Sequence, residues 1–136
     1  MSRPDITTLL ESRLGEWADV QGLAVAYENV TFDPPAGIYL ESHDMPATPY
    51  AIDLGQRARV FVGIYQVSVV VPAAQGRSEG RAIAAQIENL FGNGTEMPGD
   101  GFTCYIVGEP AQYRGITTTS SYSIPISMNY RADVAQ

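Results

Sequence analysis

Residues 56–91 limit the fold before anything else does. They read as a long strand, a tight turn and an amphipathic helix in succession. The strand carries Val60, Val62, Ile64, Val67, Val69, Val70 and Val71, with Phe61 and Tyr65 among them. β-Branched and aromatic side chains suit a pleated surface, where they pack against cross-strand neighbours. Pro72 ends the run because it has no N–H to give to a ladder. After the turn Gln75–Gly80, residues Arg81 to Phe91 place Ile83, Ile87, Leu90 and Phe91 on one helical face. Gly92 and Gly94 stop that helix.

The last stretch, Ser120 to Val134, alternates with a period of two. Tyr122, Ile124, Ile126, Met128 and Tyr130 fall on one side; Ser121, Ser123, Ser127, Asn129 and Arg131 fall on the other. That pattern predicts an antiparallel strand with one buried and one wet face. Pro125 inside it predicts an edge position or a bulge.

The rest of the chain fits around these segments. Residues 3–17 predict a helix capped by Ser2, with Pro4 in its first turn and a stripe of Ile6, Leu9, Leu10, Leu14 and Trp17. Gly15 weakens its last turn. Residues 22–30 and Ile38–His43 predict strands, separated by the turn cluster Asp33–Gly37. Asp44–Leu54 and Gly108–Thr119 are proline- and glycine-containing and read as loops, as does Gly92–Gly101. Phe102–Val107 predicts a strand. The expected order is α-β-β-β-α-β-β. This is an α+β fold: a mainly antiparallel, twisted sheet with two helices packed on it. The two long strands, at about 3.3 Å per residue, reach further than so small a domain needs and are expected to extend toward neighbours.

Size and composition bound the function. At 136 residues, a single domain over 1–136 is expected. The only cysteine is Cys104, so no intrachain disulfide can form. The segment after Met1 is polar and amphipathic, so neither a secretory signal nor a membrane span is expected. Fifteen acids stand against eight bases, net −7, and every base is arginine. An acidic surface opposes groove binding of nucleic acid, which depends on cations displacing counterions.

Chemical motifs are weak. Gln75–Gly80 lies where a phosphate loop would lie but lacks the lysine that reaches a phosphate, and Ser78 reads better as a residue near a helix cap. His43 is the only histidine, so an ordinary zinc site has too few ligands. No Gly-x-Ser-x-Gly elbow marks a nucleophile. The expectation is no catalytic residue, no cofactor and no metal. If the chain were instead a small ligand-binding or enzymatic domain, His43, Cys104 and Asp53 would have to converge in a pocket.

Tyr27-Glu-Asn-Val-Thr-Phe-Asp-Pro-Pro35 with Gly37-Ile-Tyr-Leu40, Gly63-Ile-Tyr-Gln-Val-Ser-Val-Val-Val-Pro72 with the following helix, and the final alternating strand together resemble the tail terminator proteins of long-tailed bacteriophages, the lambda U-like family. The resemblance implies a structural protein with no chemistry of its own. It implies a homo-oligomer, a hexameric ring, that caps the tail tube, stops tube polymerisation and offers a surface for head–tail joining. The implied partners are the tail tube protein and a head completion or connector protein, with DNA passing through the lumen without specific binding. The implied location is the head-proximal end of the virion tail, after synthesis in the host cytoplasm. Another head–tail connector or minor tail protein is the alternative. For the assembly interface the candidates are Arg57, Arg59, Asp44, Met45, Tyr113 and Arg114, all at strand ends or in the expected loops.

Overall fold

The computed structural model describes residues 5–28, 30–51, 58–73, 77–118 and 120–135. The order is α1 (Ile6–Gln21), β1 (Ala24–Ala26), β2 (Tyr39–Pro46), β3 (Tyr50–Ala51), β4 (Ala58–Pro72), α2 (Arg77–Leu90), β5 (Glu96–Pro98), β6 (Thr103–Gln112), β7 (Ile116–Thr117) and β8 (Ser121–Ala135). The strands of the described residues join one sheet with the path β1-β2-β4-β8-β6-β5, while β3 pairs with β4 and β7 with β8. Among the described residues only the β1–β2 pair is parallel. The expected α+β class holds.

β4 and β8 form the spine. They pair antiparallel without a break from Ala58↔Ala135 to Pro72↔Ser121. Their inward residues, among them Phe61, Tyr65, Val67, Val69, Val71, Ile124, Ile126, Met128, Tyr130 and Ala132, are buried. Both helices lie on that face. α1 buries Ile6, Leu10, Leu14 and Ala18. α2 sets Phe91 against Tyr65, ring centroids 5.6 Å apart. Arg13 of α1 ties the helices together: its Nε donates to Leu90 O at 2.8 Å and its guanidinium sits over the Phe91 ring.

Several expected boundaries move, each for a local reason. Asp5 caps α1, accepting from Thr8 N at 3.2 Å; the expected cap Ser2 and Pro4 lie outside the described residues. The helix runs past Gly15 to Gln21, and Gly15 makes room for Tyr27, whose hydroxyl stands 2.6 Å from where a Cβ would be. The helix α2 begins at Arg77, so Gly80 is not part of a turn but a helical residue pressed on Val71. The strand expected at 22–30 is only Ala24–Ala26.

The three expected loops contain strand. Asp44, Met45 and Pro46 complete β2, and Tyr50–Ala51 adds β3 against β4. β6 continues to Gln112 through a bulge: Val107 faces Asn129 and Ala111 faces Ser127, so Gly108, Glu109 and Pro110 stand opposite Met128 alone. Glu96–Pro98 pairs with β6 as β5. Two- and three-residue strands are held by backbone bonds and are too short to print a periodicity.

Pro125 is on an interior strand, not an edge. Its carbonyl accepts from Tyr113 N at 2.9 Å, so its nitrogen faces the same side. There the neighbouring strand breaks between Gln112 and Ile116, and no donor is missed.

Candidate assembly surface

The sheet has a second face, which neither helix covers, although Val60, Val70, Ser68 and Pro125 on it are buried and Phe32 packs against Tyr39 there, ring centroids 5.2 Å apart. The pairing register places its residues in rows across the strands. Tyr39, Val70, Ser123 and Ile116 form one row; Glu41, Ser68 and Pro125 the next; His43, Gln66, Ser127 and Ala111 the third. Met45, Ile64, Asn129 and Val107 follow, and then Val62, Arg131 and Tyr105.

These rows are not alike. Met45, Ile64 and Val107 are 44%, 40% and 45% exposed, and Tyr50 of the adjoining β3 is 49% exposed. Tyr50, Ile64 and Val107, with Val62, Asn129 and Arg131, line a shallow, mainly apolar groove of about 450 Å³, and Met45 stands beside Ile64 in the pairing register. At the opposite end of the face, Ile116 is 60% exposed and Tyr113, beside Pro125, is 54% exposed. Between the two lie His43, Gln66 and Ser127. From Ser123 to Asn129 along β8 the span is roughly 20 Å. β4 is thus apolar on both faces, as in sheets covered on both sides, while helices cover only one.

Where β2 and β6 run past the terminal strands β1 and β5, a side chain caps each of them. Glu28 Oε1 accepts from Asp44 N at 2.6 Å on the outer edge of β2. Asn93 Oδ1 accepts from Gly108 N at 2.9 Å on the outer edge of β6. Each occupies a backbone donor that an added strand would need.

The sequence candidates separate into inward and outward groups. Asp44 turns inward: its carboxylate accepts from Thr7 Oγ1 of α1 and from Tyr130 Oη at 2.7 Å. Met45 beside it borders the apolar groove. Tyr113 and Arg114 stand exposed on the β6–β7 connection. Arg59 is half-buried at the start of β4, opposite Val134. Arg57 and Asp53 lie outside the described residues. Val62, Ile64, Val107 and Tyr50 were not among the candidates, although the both-sided apolar character of β4 carried the signal.

His43 and Cys104 do not converge. His43 pairs with Gln66 on the uncovered face, whereas Cys104 is fully buried opposite Ala132 on the helix face. Among the described residues no group of three or more His, Cys, Asp or Glu side chains is placed to hold a metal ion. No helix among them is long and apolar enough to cross a membrane.

A second surface feature is acidic. Glu11, Glu16 and Glu28 line a hollow of about 420 Å³ between α1 and the segment after β1. Burial raises the Glu11 carboxyl above the ordinary range, and the charges of Glu28, Asp44 and Asp5 add to it.

The chain matches the family described as Phage tail terminator protein over residues 5–130. One solved structure is similar at a TM-score of 0.81 and 31% identity, over 93% of this chain and 92% of that one. A chain from the virion of a native gene transfer agent particle shares the fold, with a TM-score of 0.67 and 20% identity over 94% of each chain. No curated protein matches. A structural virion component of the tail is the role these likenesses support. The chain belongs to the phage tail terminator family.

Proposed function

We propose that the protein caps the head-proximal end of the tail tube as a homo-oligomeric ring, the hexamer being the expected form. In that position it stops addition of further tube protein and presents its free side to a head completion or connector protein. Membership of the terminator family over residues 5–130 carries this reading. The exposed apolar groove at one end of the second sheet face supports it, since such a patch marks a contact with protein. The net charge of −7 supports a lumen through which DNA slides without being held.

Electron microscopy of the purified protein mixed with tail tubes tests the proposal. A ring at one end of each tube, and tubes that no longer elongate when tube protein is added, are the expected results. A strict monomer that neither binds tube ends nor halts elongation overturns it.

A further inference from the structure

We infer that neighbouring copies of this chain join by a plug and a socket on the uncovered sheet face. The plug is the Tyr113–Ile116 connection of one copy. The socket is the apolar groove between Val62, Ile64 and Val107 of the next. The inference rests on the ring reading above and adds the surfaces that build the ring.

Strand addition is the simplest way for sheet proteins to join, and it is disfavoured here. Glu28 and Asn93 take the edge donors of β2 and β6, and Pro110 offers none. Along β2 and β6, contact through side chains is therefore favoured over strand addition. The exposed apolar ones on this face lie at its two ends. A two-fold, face-to-face pairing would bring both ends into contact at once. It would also bury the middle rows, with His43, Gln66 and Glu41, against the same polar rows of the other copy, at a desolvation cost. Joining one copy's plug to the next copy's socket leaves those rows wet. Such a head-to-tail contact repeats, and it closes when the rotation between copies allows.

Charge fits the same pairing. Arg114 stands exposed on the plug, and Glu109 stands exposed on the bulge two residues past Val107, at the socket. Arg131 in the groove's lining is already ion-paired with Asp133 at 2.7 Å, so in a chain of net charge −7 a cation brought to Glu109 helps fix which surfaces meet. The plug itself is braced from behind. Gly115 lies directly on the Tyr122 ring, and Arg81 donates to Tyr122 Oη at 3.2 Å and to Gln112 Oε1 at 2.8 Å.

The test uses the full chain, alone and on tail tubes, with a short thiol cross-linker; Cys104 is buried and stays in place. Val107→Cys and Tyr113→Cys are made singly and together. The double variant is expected to give a ladder ending at the closed ring. The two single variants are expected to cross-link into pairs only when mixed. Arg114→Glu is expected to raise the half-assembly concentration roughly tenfold, and Glu109→Arg in the same chain to restore it. If the wild type caps tubes while mixed single variants stay uncross-linked and Arg114→Glu assembles normally, the surfaces are wrong and the ring reading stands. If the wild type neither assembles nor caps, the ring reading fails and this inference with it. Cross-linked dimers from Val107→Cys alone would show face-to-face pairing, and linkage only to the tube protein would give the groove another occupant; either result overturns the inference.

Discussion

Tyr130 reaches across the flat side of Gly63 to donate its hydroxyl to Asp44 at 2.7 Å. Three strands meet in this contact: β8 supplies the ring, β4 the glycine beneath it and β2 the carboxylate. Thr7 adds a donor from α1 to the same carboxylate. The Asp44 side chain can thus sit on the helix side of the sheet because its charge is satisfied there.

Gly63 is replaceable by no larger residue without cost. A Cβ would overlap the Tyr130 hydroxyl and stand 2.8 Å from the Met45 carbonyl. The ring cannot retreat without giving up Asp44. Gly63→Ala is expected to destabilise by about 1–3 kcal/mol, the range for forced overpacking. Tyr130→Phe removes one bond to a charged acceptor and is expected to cost about 1.5–3 kcal/mol. Urea unfolding of both single variants and the double variant measures the effects and their coupling. Additive losses would mean that ring position and hydroxyl bond are independent.

Gly80 gives a sign test. On helix propensity alone, Gly→Ala inside a helix gains about 1 kcal/mol. Here the added carbon would stand 2.6 Å from Val71 Cγ2 and 3.1 Å from Ile124 Cδ1. α2 would have to lift off the spine of the sheet. Gly80→Ala is therefore expected to lower the urea midpoint despite its better propensity. Val71→Ala in the same chain should recover part of the loss, although on its own it leaves a cavity. A raised midpoint for Gly80→Ala would show that α2 shifts freely on β4.

These contacts mark where the amino-acid pattern can and cannot be read. β8 declares itself, because Tyr122 to Tyr130 alternate against serines and only a half-buried strand rewards that. Gly80 does not: a glycine before an apolar helical stripe looks like a turn until Val71 is seen lying against it. Pro125 reads as an edge residue or a bulge because periodicity cannot reveal that it is the neighbouring strand that breaks, beside the proline nitrogen. Asp44 reads as the start of a loop, since its partners Thr7 and Tyr130 are distant in the chain. On the candidate surface, Met45, Tyr113 and Arg114 were reached through loop logic alone. Val62 and Ile64 were hidden because a strand apolar on both faces looks like a core strand until the helices are found on one side.

The buried pair Ser42–Tyr65 should show the asymmetry of losing one partner. Their hydroxyls are 2.6 Å apart, and Ser42 is 1% exposed and Tyr65 fully buried. Tyr65→Phe leaves the serine hydroxyl without that partner, and Ser42→Ala does the same to the phenol; each is expected to cost about 1–3 kcal/mol. The double variant is expected to cost less than the sum. Burial also holds the Tyr65 phenol well above its ordinary range, more than the Ser42 bond lowers it. An ultraviolet pH titration should therefore find as many tyrosines ionising before alkaline unfolding in Tyr65→Phe as in the wild type, because Tyr65 is not among them; one fewer in the variant would show that Tyr65 ionises early.

Glu11 sets the direction of a pH dependence. Its carboxyl is raised above the ordinary value of 4.5, first by burial and then by the negative charges of Glu28, Asp44 and Asp5. The folded state therefore holds this proton more tightly than the unfolded chain does. For a carboxyl shifted upward, the sign is opposite to that of a salt-bridged acid. Below pH 4.5 both states are protonated and the group costs nothing; as pH rises through the folded-state value, the ionised form is penalised and stability falls. Glu11→Gln removes that penalty. It is expected to raise the urea midpoint at pH 7, with the gain shrinking toward zero as the pH is lowered past 4.5. The partial exposure of the side chain keeps the effect small. Unfolding curves for wild type and variant across that range decide it: a gain that grows on acidification would mean that Glu11 is held by an attractive partner and that the acidic hollow is not a site of repulsion.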